Sequence, residues 1–119
     1  MKYLNTLLCS VRYNNLIEKF TETYGRKPDF IARSPGRVNL IGEHIDYCGF
    51  GVMPMAIERD CIIAVATTDQ DTKVRIANVN SKYESHEFEF EGKDKIVTID
   101  DTKHEWTNYF KCGYKVWIV

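Results

Sequence analysis

The hydrophobic period of this chain changes near Gly25, and that change limits the folds open to it. Before it, Leu16, Ile17, Phe20 and Tyr24 recur at the spacing of one helix face. Asn15 is placed to cap this amphipathic helix, with Glu18 three residues on as its capping-box partner. Leu4, Leu7, Leu8 and Val11 predict an earlier turn or two. Gly25, Lys27 and Pro28 stop the helix, because glycine accepts a left-handed cap and proline cannot continue the ladder.

From Asp29 the period moves toward two, the spacing of a strand. Phe30, Ala32, Val38 and Leu40 are then expected to face inward, and Arg33, Arg37 and Asn39 the other way. Pro35-Gly36 falls inside this run and demands a bend or bulge. Gly49 and Gly51, around Phe50, predict a turn, and the Ile-, Val- and Ala-rich run from Cys61 to Thr67 a buried strand. Val74 and Ile76 mark another strand. His86, Phe88 and Phe90, alternating with Glu87, Glu89 and Glu91, mark a further one. A helix from Glu105 to Val119 closes the order, with Trp106, Tyr109, Phe110 and Gly113 spaced to pack on a sheet. Helix, several strands, helix is an α+β pattern with a mixed or antiparallel sheet, not a run of βαβ units.

At 119 residues the chain has room for one compact core. It ends in the apolar Val116-Trp117-Ile118-Val119 without a polar closing loop, so residues 1–119 are expected to be a single partial domain. Sixteen basic against seventeen acidic residues leave a charge of -1, and no whole-molecule field favours nucleic acid or an anionic membrane. The cysteines Cys9, Cys48, Cys61 and Cys112 are widely spaced and form no C-x-x-C pair, which suits reduced thiols in a cytoplasmic protein. The amino-terminal apolar run makes a poor export signal, since Asn5 and Thr6 interrupt it and Leu8 precedes Cys9.

The densest chemistry lies in residues 36–47, GRVNLIGEHIDY, where Arg37, Asn39, Glu43, His44 and Asp46 crowd between glycines. If Gly42 ends a strand and Glu43 opens a helical turn, Glu43 and Asp46 project from one side as a small acidic cup, with His44 beside them. Carboxylates accept strong hydrogen bonds from hydroxyls, so such a cup suits a sugar. Arg37 offers a donor fork to a phosphate or to a carboxylate base. The same residues also allow plainer uses. Acidic groups in a first helical turn stabilise its dipole, and an arginine nearby can be their surface partner. A metal site from Glu43, His44 and Asp46, with His86 or His104, fits no familiar ligand spacing. Nothing local marks Cys48, near His44, as a nucleophile.

This stretch resembles the signature of the galactokinase branch of the GHMP kinases nearly letter for letter. Ser34-Pro35, Val52 to Ala56, and Trp106-Thr107-Asn108-Tyr109-Phe110 extend the likeness over about Leu16 to Tyr114, and HIDYCGFGVMPMAIERD and WTNYFKCG look closer to the N-acetylgalactosamine kinase branch. The resemblance implies the amino-terminal part of a GHMP kinase fold, incomplete relative to the family domain. Its intact form would transfer the γ-phosphate of ATP, with Mg²⁺, to the anomeric hydroxyl of galactose or N-acetylgalactosamine. It implies that Glu43, His44 and Asp46 hold sugar hydroxyls, and that Arg37 lies beside the base and the transferring phosphoryl group. Trp106, Tyr109, Asn78 and Asn80 lie where the family approaches adenine.

The family's Gly- and Ser-rich phosphate loop and its base aspartate have no counterpart in these residues. The chain alone is therefore expected to be inactive as a kinase. A sensor on the same scaffold that binds galactose and ATP, and an inactive truncated product, are the other readings. No protein partner is specified.

Overall fold

A computed structural model of the chain describes residues 2–69, 72–89 and 97–118, with the side chains of residues 2–9, 117 and 118 left out. The architecture is α+β and forms two compact units, one up to Thr67 and one from Thr68 onward.

The first unit begins with helix α1, Lys2–Tyr24, a single uninterrupted element of 23 residues. The earlier turns around Leu4 to Val11 are part of it, and the Asn15 cap is corrected: Asn15 lies inside the helix. The reason is that residues 2–24 contain neither glycine nor proline, so nothing stops the ladder before Tyr24. The stop at Gly25 holds, with φ 71° and its N–H donated to the Thr21 carbonyl at 2.9 Å. In the last turn, Thr21 Oγ1 donates to the Ile17 carbonyl at 2.7 Å and Thr23 Oγ1 to that of Lys19 at 2.8 Å.

Strands β1, Phe30–Ile41, and β2, Met53–Val65, form an antiparallel ribbon. Its register breaks between Pro35 and Arg37, where a bulge was expected, and again between Asn39 and Ile41. Gly36 is needed there, because a Cβ would lie 3.0 Å from the Arg59 carbonyl oxygen and 3.1 Å from Ile57 Cδ1. Asp29 fastens the start of the ribbon to its end. Its carboxylate accepts from the Thr67 N–H at 2.8 Å and from Arg26 Nη2 at 2.6 Å, while its own N–H donates to the Val65 carbonyl at 2.7 Å.

Helix α1 is tied to the ribbon through Asp60, which binds both Arg12 of α1 and Arg33 of β1. The face of Asp60 is therefore the covered one, and Ile31, Ile62 and Ala64 on that face are half-buried. This overturns the expected sidedness. Phe30, Val38 and Leu40 are exposed at 53%, 43% and 56%, Ala32 is exposed too, and Asn39 is half-buried. Alternation identified which residues share a face, but the pairing of Arg33 with Asp60 decided which face meets the helix. The run from Cys61 is likewise the end of a longer strand with one bare side, where Cys61 and Ile63 are exposed.

In the second unit, β3, Lys73–Ile76, pairs antiparallel with β4, His86–Glu89. Val74 faces Phe88 and Ile76 faces His86 on the half-buried side. On the other side Glu87 accepts from Lys73 at 2.6 Å and from Arg75 at 2.9 Å. Helix α2 spans Thr107–Ile118 and lays Phe110 against Phe88, ring centroids 6.3 Å apart, with Lys111 Nζ 5.3 Å from the centre of the Phe88 ring. Phe90, Glu91 and Val119 lie outside the described residues. Among those described, only Val97 and Thr107 are fully buried.

Candidate functional site

The polar stretch follows directly from β1. Arg37 sits on the strand opposite Ala56, just past the bulge, and its side chain is exposed. The strand ends at Ile41. Gly42 then takes φ 106°, residues 43–45 form a turn, and a short 3-10 helix opens at Asp46 and ends at Cys48.

This corrects the expected helical start at Glu43. His44 has φ 56°, a left-handed conformation uncommon for a residue with a Cβ, and Gly42 is positive as well. Two positive φ values so close together cannot continue a right-handed turn, so Glu43 and Asp46 do not stand on successive turns of one helix. Gly42 also has no room for a side chain: a Cβ would lie 2.4 Å from Val52 Cγ1 and 3.0 Å from Val52 Cα. The turn is thereby pressed against the residue that precedes β2.

Glu43, His44 and Asp46 are all exposed, and Tyr47 is 73% exposed beside His44, with ring centroids 6.4 Å apart. Among the described residues, the side chains of Arg37, Glu43 and Asp46 make no hydrogen bond or ion pair. Holding His44 left-handed costs about 1 kcal/mol. That strain and the free carboxylates of Glu43 and Asp46 coincide in one loop, which can accept hydrogen bonds, while the guanidinium of Arg37 on β1 can donate them. No three His, Cys, Asp or Glu side chains converge on a metal position among the described residues. Cys48 is a free, exposed thiol.

The residues expected near adenine belong to the second unit and are put to different uses. Asn78 Oδ1 accepts the Asn80 N–H at 2.9 Å, and Asn80 Oδ1 accepts the Lys82 N–H at 3.0 Å, so both carboxamide oxygens shape a loop. Trp106 is half-buried, donates Nε1–H to the Glu84 carbonyl at 3.0 Å, and packs edge-on to Tyr83 and His86. Tyr109, expected to pack on the sheet, is instead 86% exposed. It lies three positions beyond Trp106, and the helix begins between them.

Sequence reasoning counted Asn39 in the polar stretch but gave it no role. Its Oδ1 is closed to solvent and has no hydrogen-bond partner among the described residues. Its position two residues after Arg37 on one strand was the available signal.

Comparison with known proteins bears on this loop directly. Residues 18–67 match the galactokinase galactose-binding signature. The galactokinase of Saccharomyces cerevisiae is 47% identical over 103 residues, covering 86% of this chain and 20% of its own length. That of Schizosaccharomyces pombe is 46% identical over 111 residues, covering 93% and 21%, and that of Dictyostelium discoideum 44% identical over 106 residues, covering 87% and 21%. The chain thus spans about a fifth of the length of these relatives. It is a homologue of the galactokinases, and it carries the galactose-binding signature of that family.

Proposed function

We propose that the loop from Arg37 to Asp46 grips galactose, and that the whole enzyme to which this segment corresponds phosphorylates the sugar at its anomeric hydroxyl with MgATP. The observation that carries this reading is that Arg37, Glu43 and Asp46, without partners among the described residues, fall within the matched galactose-binding signature. Glu43, His44 and Asp46 orient the sugar hydroxyls, and orientation supplies much of the power of a phosphoryl-transfer catalyst. Arg37 offsets charge that develops on the transferring group. N-acetylgalactosamine is the alternative acceptor, favoured by the wording of residues 44–60 and 106–113. Tyr109, the exposed ring, is the group best suited to stack on adenine, with Trp106, Asn78 and Asn80 as further adenine contacts from the same unit. Both units belong, on this reading, to one domain of the enzyme.

Calorimetric titration of the chain with galactose, N-acetylgalactosamine and glucose tests the grip. Galactose is expected to bind, and Asp46→Ala to weaken it about tenfold or more. Equal heats from all three sugars, or an Asp46→Ala variant that binds as the parent does, would remove the basis for the reading. No sugar-dependent ATP turnover is expected of the chain alone, because it carries no phosphate loop motif.

A further inference from the structure

The turn that follows β1 carries an aromatic ring as well as its charges, and that ring is in water: Tyr47 is 73% exposed. It meets the imidazole of His44, with ring centroids 6.4 Å apart and planes inclined by 58°, and its hydroxyl makes no hydrogen bond among the described residues. The backbone beneath it is ordered. Tyr47 is the middle residue of the 3-10 helix Asp46–Cys48, around which the Cys48 N–H donates to the Ile45 carbonyl and the Gly49 N–H to that of Asp46, both at 3.1 Å. Phe50 is also exposed, at 67%, but it lies past Gly49, outside any helix or strand and without a ring contact among the described residues.

Glu43, His44 and Asp46 can meet the hydroxyls of a sugar, which are only part of its surface. In galactose the axial C4 hydroxyl stands on one face of the pyranose and leaves the hydrogens of C3, C4 and C5 together on the other. That face is an apolar patch. Carboxylates gain nothing from it, whereas the electron-rich face of an aromatic ring suits it in shape and in charge. Small-molecule sites commonly join such apolar or aromatic surface to a few placed polar groups. Tyr47, next to Asp46 in the chain and beside His44 in space, supplies the surface that the polar groups do not.

We infer that Tyr47 is the aromatic platform of the sugar site, whose ring takes the C3–C5 face of galactose and so selects the configuration at C4. The inference rests on the galactose reading above and adds a specificity-determining residue to it. In glucose the C4 hydroxyl is equatorial and the C4 hydrogen lies on the face opposite those of C3 and C5, so the patch is broken. N-acetylgalactosamine differs from galactose at C2 and keeps the patch whole. The platform therefore serves both galacto sugars alike and disfavours glucose.

The test titrates the chain, Tyr47→Ala, Tyr47→Phe and Phe50→Ala with galactose, N-acetylgalactosamine and glucose. Tyr47→Ala is expected to bind each galacto sugar about fivefold more weakly, and its preference for galactose over glucose to narrow accordingly. Tyr47→Phe keeps the ring and keeps the affinity, and Phe50→Ala binds as the parent does. Because Tyr47 is exposed, the sugar-free melting point of Tyr47→Ala should stay close to that of the parent, which separates lost affinity from lost folding.

If Tyr47→Ala does not fold, nuclear Overhauser contacts from the Tyr47 ring protons of the unaltered chain to bound galactose decide instead. Contacts to the C3, C4 and C5 hydrogens are expected, and their absence would overturn the inference. So would equal galactose affinity in parent and Tyr47→Ala, a preference over glucose that does not narrow, a Tyr47→Phe variant as weak as Tyr47→Ala, or an equal loss on Phe50→Ala. A parent that binds galactose, loses it on Asp46→Ala and keeps it on Tyr47→Ala sinks this inference alone. A parent that ignores galactose sinks the galactose reading with it.

Discussion

Two sets of charged side chains on the same ribbon are used in opposite ways. Asp60 is 7% exposed at its side chain, and its carboxylate is shared between Arg12 and Arg33, with Arg12 Nη2 also reaching the Asp60 carbonyl at 2.9 Å. Its charge is used internally, to register α1 against the strands. Arg37, Glu43 and Asp46 are exposed and make no such pairs among the described residues. A charge matched inside the fold contributes to stability and is closed to ligands, whereas one left free adds little to stability and remains available. On the reading proposed above, the turn after β1 is where this chain meets its sugar.

The largest test of the comparison is Asp60→Ala. It leaves the guanidinium groups of Arg12 and Arg33 facing one another without their shared acceptor, and should lower the melting temperature by about 15 degrees or more. The same contact sets an acid limit. Hydrogen bonds from Arg12 and then Arg33 hold the Asp60 carboxyl below its ordinary range. A carboxyl depressed in the folded state contributes stability above its unfolded value, and that contribution is lost as pH falls through the folded value. Melts from neutral pH downward should therefore decline below about pH 4, and more steeply in the parent than in Asp60→Asn. Asp29, lowered chiefly by the Thr67 N–H, keeps part of the decline in both.

A smaller effect, but one closer to the site, comes from Gly42→Ala. The new Cβ meets Val52 at a positive φ, and the two penalties together amount to roughly 3 kcal/mol. The urea midpoint should fall at constant slope. Val52→Ala in the same chain should recover the steric part and leave the conformational part. Full recovery would mean that the turn tolerates a right-handed Gly42, and that the loop is not held as described.

How far these features were legible follows from their physics. The stop at Gly25, the bulge at Pro35-Gly36 and the alternation of His86 and Phe88 were readable, because each depends on residues adjacent in sequence. The continuity of α1 through Asn15 was not, since a capping residue looks the same inside a helix as at its start. The covered face of the ribbon was hidden for another reason. It depends on Arg12 meeting Asp60 across 48 positions, and arginines were read as pointing outward. The site was legible as a signature but not as a shape. His44 in a left-handed conformation carries no mark in a single sequence, and the isolation of Asn39 Oδ1 depends on a proline in the opposite strand.

The smallest expected effect completes the comparison from the other side. If Arg37, Glu43 and Asp46 are free in the folded chain, Arg37→Ala and Asp46→Ala should each change its stability by no more than about 0.5 kcal/mol, as exposed substitutions do. Urea unfolding of the sugar-free variants reads this directly. A near-zero change here, beside a large one for Asp60→Ala, separates residues held for a ligand from residues held for the fold. A loss for Asp46→Ala comparable with that for Asp60→Ala would show that Asp46 has a structural partner, and its effect on galactose could then be an effect on folding.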